Sequence, residues 1–267
     1  VSCISGMLIG SKFSPPLSIF IFGLLGISFL AASAAVINHI FDSEIDAKMN
    51  RTASRPLVKG SITEFSASVF AAALYVSGSL MLLIYVNALT WILTSLTFIF
   101  YAFIYTRYLK FMTSQNIVIG GLAGAMPPLL GWTAVSNTIE PNAWLLVLIV
   151  MVWTPPHFWA LAVYRVDDYA EAAVPMLPVQ KGIAFTKQHI VLYTLLLLAS
   201  TMLPYAVGMF QELYLVVALI LGLGFLYFSI KLYRDDTNAS AMQTFAYSIS
   251  YLAALFGAML VDQYLYL

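Results

Sequence analysis

Asn38, Asp42 and Asp46 are spaced four apart at the end of a long apolar stretch. If the helix carrying Asn38 continues past Phe41, all three share one face. Two carboxylates at this spacing repel each other and work against a helix. A divalent cation is a natural counterweight. Mg2+ takes one or two carboxylates together with phosphate oxygens and water. Arg51, Arg55 and Lys59 follow at once. Guanidinium groups grip phosphate bidentately, and lysine acts as a point charge. Carboxylates and cations at a membrane edge therefore describe a site for a Mg2+-bound diphosphate. The same residues also suit a solvated loop in which Asp and Arg pair. Glu44 points away from the Asp42–Asp46 face and reads as solvated.

A second polar cluster runs from Tyr164 to Lys181. Tyr164 and Asp168 share a helical face, Asp167 and Glu171 sit four apart, and Arg165 and Lys181 add positive charge. Pro175 and Pro178 bar a long helix here. A loop-end acidic cluster explains these residues equally, but two acidic loops on one membrane side favour a metal–diphosphate site. His157 lies in an apolar helix beside Pro155 and Pro156. An intramembrane histidine is a functional candidate as a haem ligand, proton carrier or hydrogen-bond donor. It is equally a histidine satisfied by a neighbouring helix. His39 and His189 do not rise above that second role, and three dispersed histidines make no zinc site. Lys110, Gln115 and Asn116 cluster at the entry to another apolar stretch, where the two amides are placed to reach a headgroup. Gly120 and Gly124 read as close helix packing, and Pro127–Pro128 as a break.

These residues must be positioned by membrane helices. Of 267 residues, 61% are hydrophobic and only 9% charged, against the roughly 25% charge of soluble domains. Disorder requires the opposite balance. With Lys+Arg 12 and Asp+Glu 12, a basic nucleic-acid binder is excluded. One cysteine, Cys3, permits no internal disulfide. Apolar runs fall near 17–41, 64–86, 88–106, 116–135, 143–165, 188–209, 213–233 and 243–265. Residues 1–10 read as the end of a further span with a truncated start, rather than a signal peptide. The expectation is an all-α bundle of nine transmembrane helices, the first incomplete, forming one domain over 1–267. Every basic residue except Lys12 falls in loops on one side, which the positive-inside rule places in the cytoplasm or its organellar equivalent. A transporter would carry its ionisable groups within the spans; here they gather at one face.

The motifs resemble a known family. The N-x3-D-x3-D pattern, the second acidic loop and the nine helices look like the UbiA superfamily of intramembrane prenyltransferases. DAKMNRTASRPLVKG, QNIVIGGLAGAMPPLLGW, WTPPHFWALA and DDYAEAAVPMLPVQKG look like its haem O synthase (protohaem IX farnesyltransferase) branch. The likeness runs from the second helix to the seventh. It implies a bacterial inner-membrane enzyme, or a mitochondrial one, using Mg2+, farnesyl diphosphate and haem B. A quinone precursor is the alternative acceptor within the superfamily. By this resemblance Asn38, Asp42 and Asp46 hold metal and diphosphate, and Arg51, Arg55 and Lys59 match the basic residues after them. Asp168 matches the acid of the second motif and is a further metal ligand, with Tyr164 and Arg165 beside it. His157 matches the histidine of the proline-histidine-phenylalanine segment. Lys110 and Arg165 add charge for the leaving group, and Phe41, Tyr101, Tyr105 and Trp159 are candidate cavity aromatics. Haem A synthase or a terminal oxidase assembly is the implied partner, within a lipid bilayer.

Overall fold

The computed structural model describes residues 1–49 and 52–266. Arg51 lies outside the described residues. All regular structure among them is helical. The chain runs through α1 Ser2–Gly10, α2 Leu17–Phe41, α3 Ser43–Asp46, α4 Glu64–Tyr85 and α5 Ala88–Ile99. The last of these continues as a π-helical stretch, Phe100–Leu109, and a final turn, α6 Lys110–Met112. Then come α7 Asn116–Ala125, α8 Pro127–Ser136 and α9 Pro141–Tyr164. Two short helices, α10 Val166–Glu171 and α11 Leu177–Lys181, precede α12 Ile183–Ala206, α13 Glu212–Arg234 and α14 Ala241–Leu265.

Eight segments of the described residues are long and apolar enough to cross a membrane: α2, α4, Ala88–Met112, Asn116–Ser136, α9, α12, α13 and α14. Helix α1 has nine residues, against the roughly 20 a span takes. Side chains such as Phe65, Ile84, Ile220 and Tyr227 project outward and are exposed. A surface this apolar belongs in lipid, and the protein is an integral membrane protein.

Local chemistry sets the helix ends. Thr63 caps α4 by accepting from the Ser66 N–H, and Asn87 caps α5 by accepting from the Thr90 N–H. Prolines in the first turn open α8, α9 and α11. Gln211, at the start of α13, makes no side-chain cap. The buried carboxylate of Asp262 in α14 replaces it, accepting from the N–H groups of Gln211 at 2.7 Å and Tyr214 at 2.9 Å. On the opposite end of the bundle, buried Lys187 donates to the Asp235 carbonyl. Hydrogen bonds from Ser240 and Thr237 hold the Asp235 carboxyl below the usual carboxylate range.

Helix α9 is the centre of the bundle: 72% of its apolar window is buried, against 22% for Ala88–Met112. Helix α1 packs against α8 at backbone contact. A Cβ on Gly6 would lie 2.0 Å from the Pro128 carbonyl oxygen, and one on Gly131 would lie 2.1 Å from that of Cys3. Neither obstacle is a flexible side chain. Gly131→Ala therefore forces the two helices apart and costs about 1–3 kcal/mol, the range for overpacking a tight contact. Thermal unfolding in detergent reads this as a lowered Tm; an unchanged Tm would mean the contact yields freely.

Candidate active site

Helix α2 stops at Phe41, and Asp42 turns the chain (φ −89, ψ 0) into the single turn of α3. The helical path is nevertheless kept: the Asp42 N–H donates to the Asn38 carbonyl and that of Asp46 to the Asp42 carbonyl. Asn38, Asp42 and Asp46 thus face one cavity, as their spacing requires. The two carboxylates are buried, and each has its own cation. Lys110 Nζ donates to Asp42 Oδ2 at 2.7 Å, and Arg55 pairs with Asp46. The repulsion expected at this spacing is offset by side chains from the π-helical span and from the loop after α3.

Amides lock the arrangement. Asn38 Nδ2 donates to Asp42 Oδ2 at 2.9 Å and to Thr106 Oγ1 at 3.2 Å. Thr106 Oγ1 in turn donates to the Tyr101 carbonyl five residues back, the reach of a π turn. Asn116 Nδ2 donates to the Lys110 carbonyl at 3.0 Å. Two acceptors are left over: Asp42 Oδ1 and Asn116 Oδ1 are buried with no hydrogen-bond partner. A buried orphan acceptor is costly, and one on a carboxylate calls for a cation. Asp42 and Asp46 fit Mg2+ shared with phosphate oxygens and water. Among the described residues no three Asp, Glu, His or Cys side chains form a set that could hold a metal. The expected triad of Asp42, Asp46 and Asp168 is not assembled.

The cavity measures about 350 Å3. Beneath the charged rim its wall is aromatic and apolar. Tyr101 and Tyr105 stack at 5.7 Å, and Trp153, Phe158 and Tyr169 complete the wall. Trp153 is held from behind by His157, whose ring stacks on it at 4.2 Å and on Phe245 at 4.5 Å. Ser248 Oγ spends its proton on the Phe245 carbonyl. The 2.6 Å contact between His157 Nδ1 and Ser248 Oγ therefore has Nδ1–H as donor. His157 is buried behind the wall, not part of the cavity lining.

A family model described as the UbiA prenyltransferase family matches residues 1–256. The chain belongs to this family. The "Protoheme IX farnesyltransferase" of Saccharophagus degradans is 53% identical over 260 residues, covering 97% of this chain and 86% of that one. Its counterpart of the same description in Alcanivorax borkumensis is 52% identical over 267 residues, covering 99% and 88%. Solved structures share the UbiA fold. A digeranylgeranylglyceryl phosphate synthase matches with a TM-score of 0.83 at 22% identity, over 98% of this chain and 92% of that one. A UbiA homolog from Archaeoglobus fulgidus bound to GPP and Mg2+ matches with a TM-score of 0.65 at 14% identity, over 97% and 95%.

The structure of this UbiA chain gathers Asn38, Asp42, Asp46, Arg55, Lys110 and Asn116 around the cavity. It places other expected residues elsewhere. Asp168 accepts from Arg165 Nη1 at 3.0 Å, three residues away, and neither lines the cavity. The turn after α9 instead contributes Tyr169, Val174 and Met176. Tyr164 is exposed, with the Arg165 guanidinium over its ring at 5.9 Å. Lys59, Gln115 and Lys181 are exposed and outside the lining. Phe41 faces a groove on the other side of α2, and Trp159 is fully buried in the core. Gly124, read from sequence as a packing residue, meets nothing within 4 Å and borders the cavity. Sequence reasoning missed Trp153, Phe158 and Tyr169. Their signal was proximity: Trp153 lies one turn before His157, Phe158 follows it, and Tyr169 follows Asp168.

Proposed function

We propose that this protein transfers the farnesyl group of farnesyl diphosphate to a vinyl group of haem B, giving haem O, with Mg2+. The observation that carries the acceptor is 53% identity to a named Protoheme IX farnesyltransferase over 97% of the chain. The cavity suits the chemistry. Asp42 and Asp46 would hold the metal, which neutralises diphosphate charge when bound. Lys110 and Arg55 add fixed positive charge where the diphosphate takes the electron pair of the breaking allylic C–O bond. Asn38 and Thr106 keep the Asp42 carboxylate in place. The terminal vinyl carbon of haem bonds to C1 of the farnesyl group. Water then adds at the cationic carbon beside the porphyrin and loses a proton, leaving a hydroxyethylfarnesyl chain. The faces of Tyr101, Tyr105 and Trp153 steady the allylic cation, and the apolar wall keeps water from it.

On this reading residues 1–267 act as one domain in a bacterial inner membrane, with the charged rim on the cytoplasmic side. Haem A synthase or an oxidase assembly would take the product. The test is incubation of purified protein with farnesyl diphosphate and either haem B or 4-hydroxybenzoate, with products read by mass spectrometry. Haem O is expected from haem B alone, lost with EDTA and restored by Mg2+. A prenylated hydroxybenzoate, or haem O formation indifferent to EDTA, would overturn the reading.

A further inference from the structure

A second cavity of about 290 Å3 lies deeper between α2, α5 and α8. Its lining is almost wholly apolar, with Leu30, Ala34, Phe98 and Leu130 among its walls. Two residues border both spaces, Tyr101 and Gly124. The Tyr101 ring is fixed by its stack on Tyr105. Opposite it, Gly124 leaves a gap: a Cβ there would have no neighbour within 4 Å. The glycines above it differ. A Cβ on Gly120 would meet Tyr105 at 2.2 Å, and one on Gly121 would meet Thr154 at 2.9 Å. Gly124 is thus the open position of this helix, at the junction between the polar cavity and the apolar chamber.

The geometry points to Gly124 as the residue that sets which isoprenoid length the protein accepts. This rests on the prenyl-transfer reading above. The diphosphate belongs at the level of Lys110 and Asn116, where the cations and the orphan acceptors are. Gly124 is eight residues further along α7, about 12 Å at the helical rise. An isoprene unit is about as long as one helical turn, roughly 5 Å. The first unit of a chain anchored at Lys110 stays in the polar cavity. The third must pass between Tyr101 and Gly124 into the chamber. The chamber suits the distal end of the substrate's own tail, because its lining is apolar and it shares the Tyr101–Gly124 border with the polar cavity. A Cβ at 124 would meet no atom within 4 Å, so a side chain there has room to narrow the passage.

The test compares the wild type with Gly124→Leu and Gly124→Ala, using farnesyl and geranyl diphosphate with haem B. The ratio of kcat/KM for farnesyl over geranyl diphosphate is expected to fall at least tenfold in Gly124→Leu. Gly124→Ala should fall between it and the wild type. A second readout needs no acceptor: the rise in Tm given by the non-reactive thiodiphosphate analogues of the two lengths. Gly124→Leu should lose the farnesyl analogue's stabilisation and keep more of the geranyl analogue's. An unchanged ratio, or a parallel loss for both lengths, overturns the assignment. Failure of the acceptor reading has a different signature. The wild type would then make no haem O, while the length-dependent Tm shifts would still report on Gly124.

Discussion

Asp42→Asn is expected to lower kcat/KM for haem O formation by about 100- to 1,000-fold, the loss seen when one preorganised charge-stabilising group is removed. The substitution is nearly isosteric. What it removes is the charge that pairs with Lys110 and the carboxylate oxygen that lies buried without a partner. Breaking a buried ion pair also costs stability, so the activity loss needs a control. Asp42→Asn combined with Lys110→Gln leaves no unpaired charge, and its activity should stay low even where its Tm recovers. Asp168→Asn supplies the contrast. Its carboxylate belongs to a local pair with Arg165 outside the cavity, and its loss should stay within about 10- to 100-fold, the range of outer-shell changes. If Asp168→Asn proves the more damaging of the two, the cavity has been assigned to the wrong carboxylate.

Asp262→Ala is expected to cost about 3–6 kcal/mol of stability, from two hydrogen bonds to a charged group at roughly 1.5–3 kcal/mol each. The carboxylate is fully buried and is the cap that α13 does not supply for itself. Its two N–H partners, on Gln211 and Tyr214, would be left unpaired at the positive end of the helix dipole. Thermal unfolding in a mild detergent reads the change, and Asp262→Asn, which keeps one acceptor oxygen, should recover part of it. Equal melting of Asp262→Ala and wild type would show that the cap carries no weight.

The spans were legible because a long, uncharged apolar run has few stable places outside lipid, and α2, expected at 17–41, forms at Leu17–Phe41. The misplaced boundaries are those where a charged residue is absorbed into structure. The run expected to end at 106 continues to Met112, since Lys110 is drawn in by Asp42. The run expected from 188 begins at Ile183, because Lys187 is buried against the Asp235 carbonyl. The first carboxylate motif was legible because helical spacing places its residues on one face. Asp168 was not, since spacing alone cannot show that a nearby arginine takes the carboxylate. His157 was recognised as unusual, yet its visible effect is to fix Trp153, a contact that depends on Ser248 from a distant helix. Gly124 was opaque for a plainer reason. A glycine beside another helix and a glycine beside a void are written with the same letter.

The interlock of α1 with α8 bears on the order in which the protein can be made. Synthesis runs from the N-terminus, so residues 2–10 enter the membrane before their partners exist. Their backbone contacts are with Pro128 and with the turn around Gly131, and Gln263 reaches the Ile9 carbonyl from α14. Nearly the whole chain must therefore be inserted before α1 has both partners. In water such a delay would expose an apolar helix to aggregation. In a bilayer the delay costs less, because an uncharged apolar segment can wait among lipid tails. Helix α1 is thus among the last to find its seat.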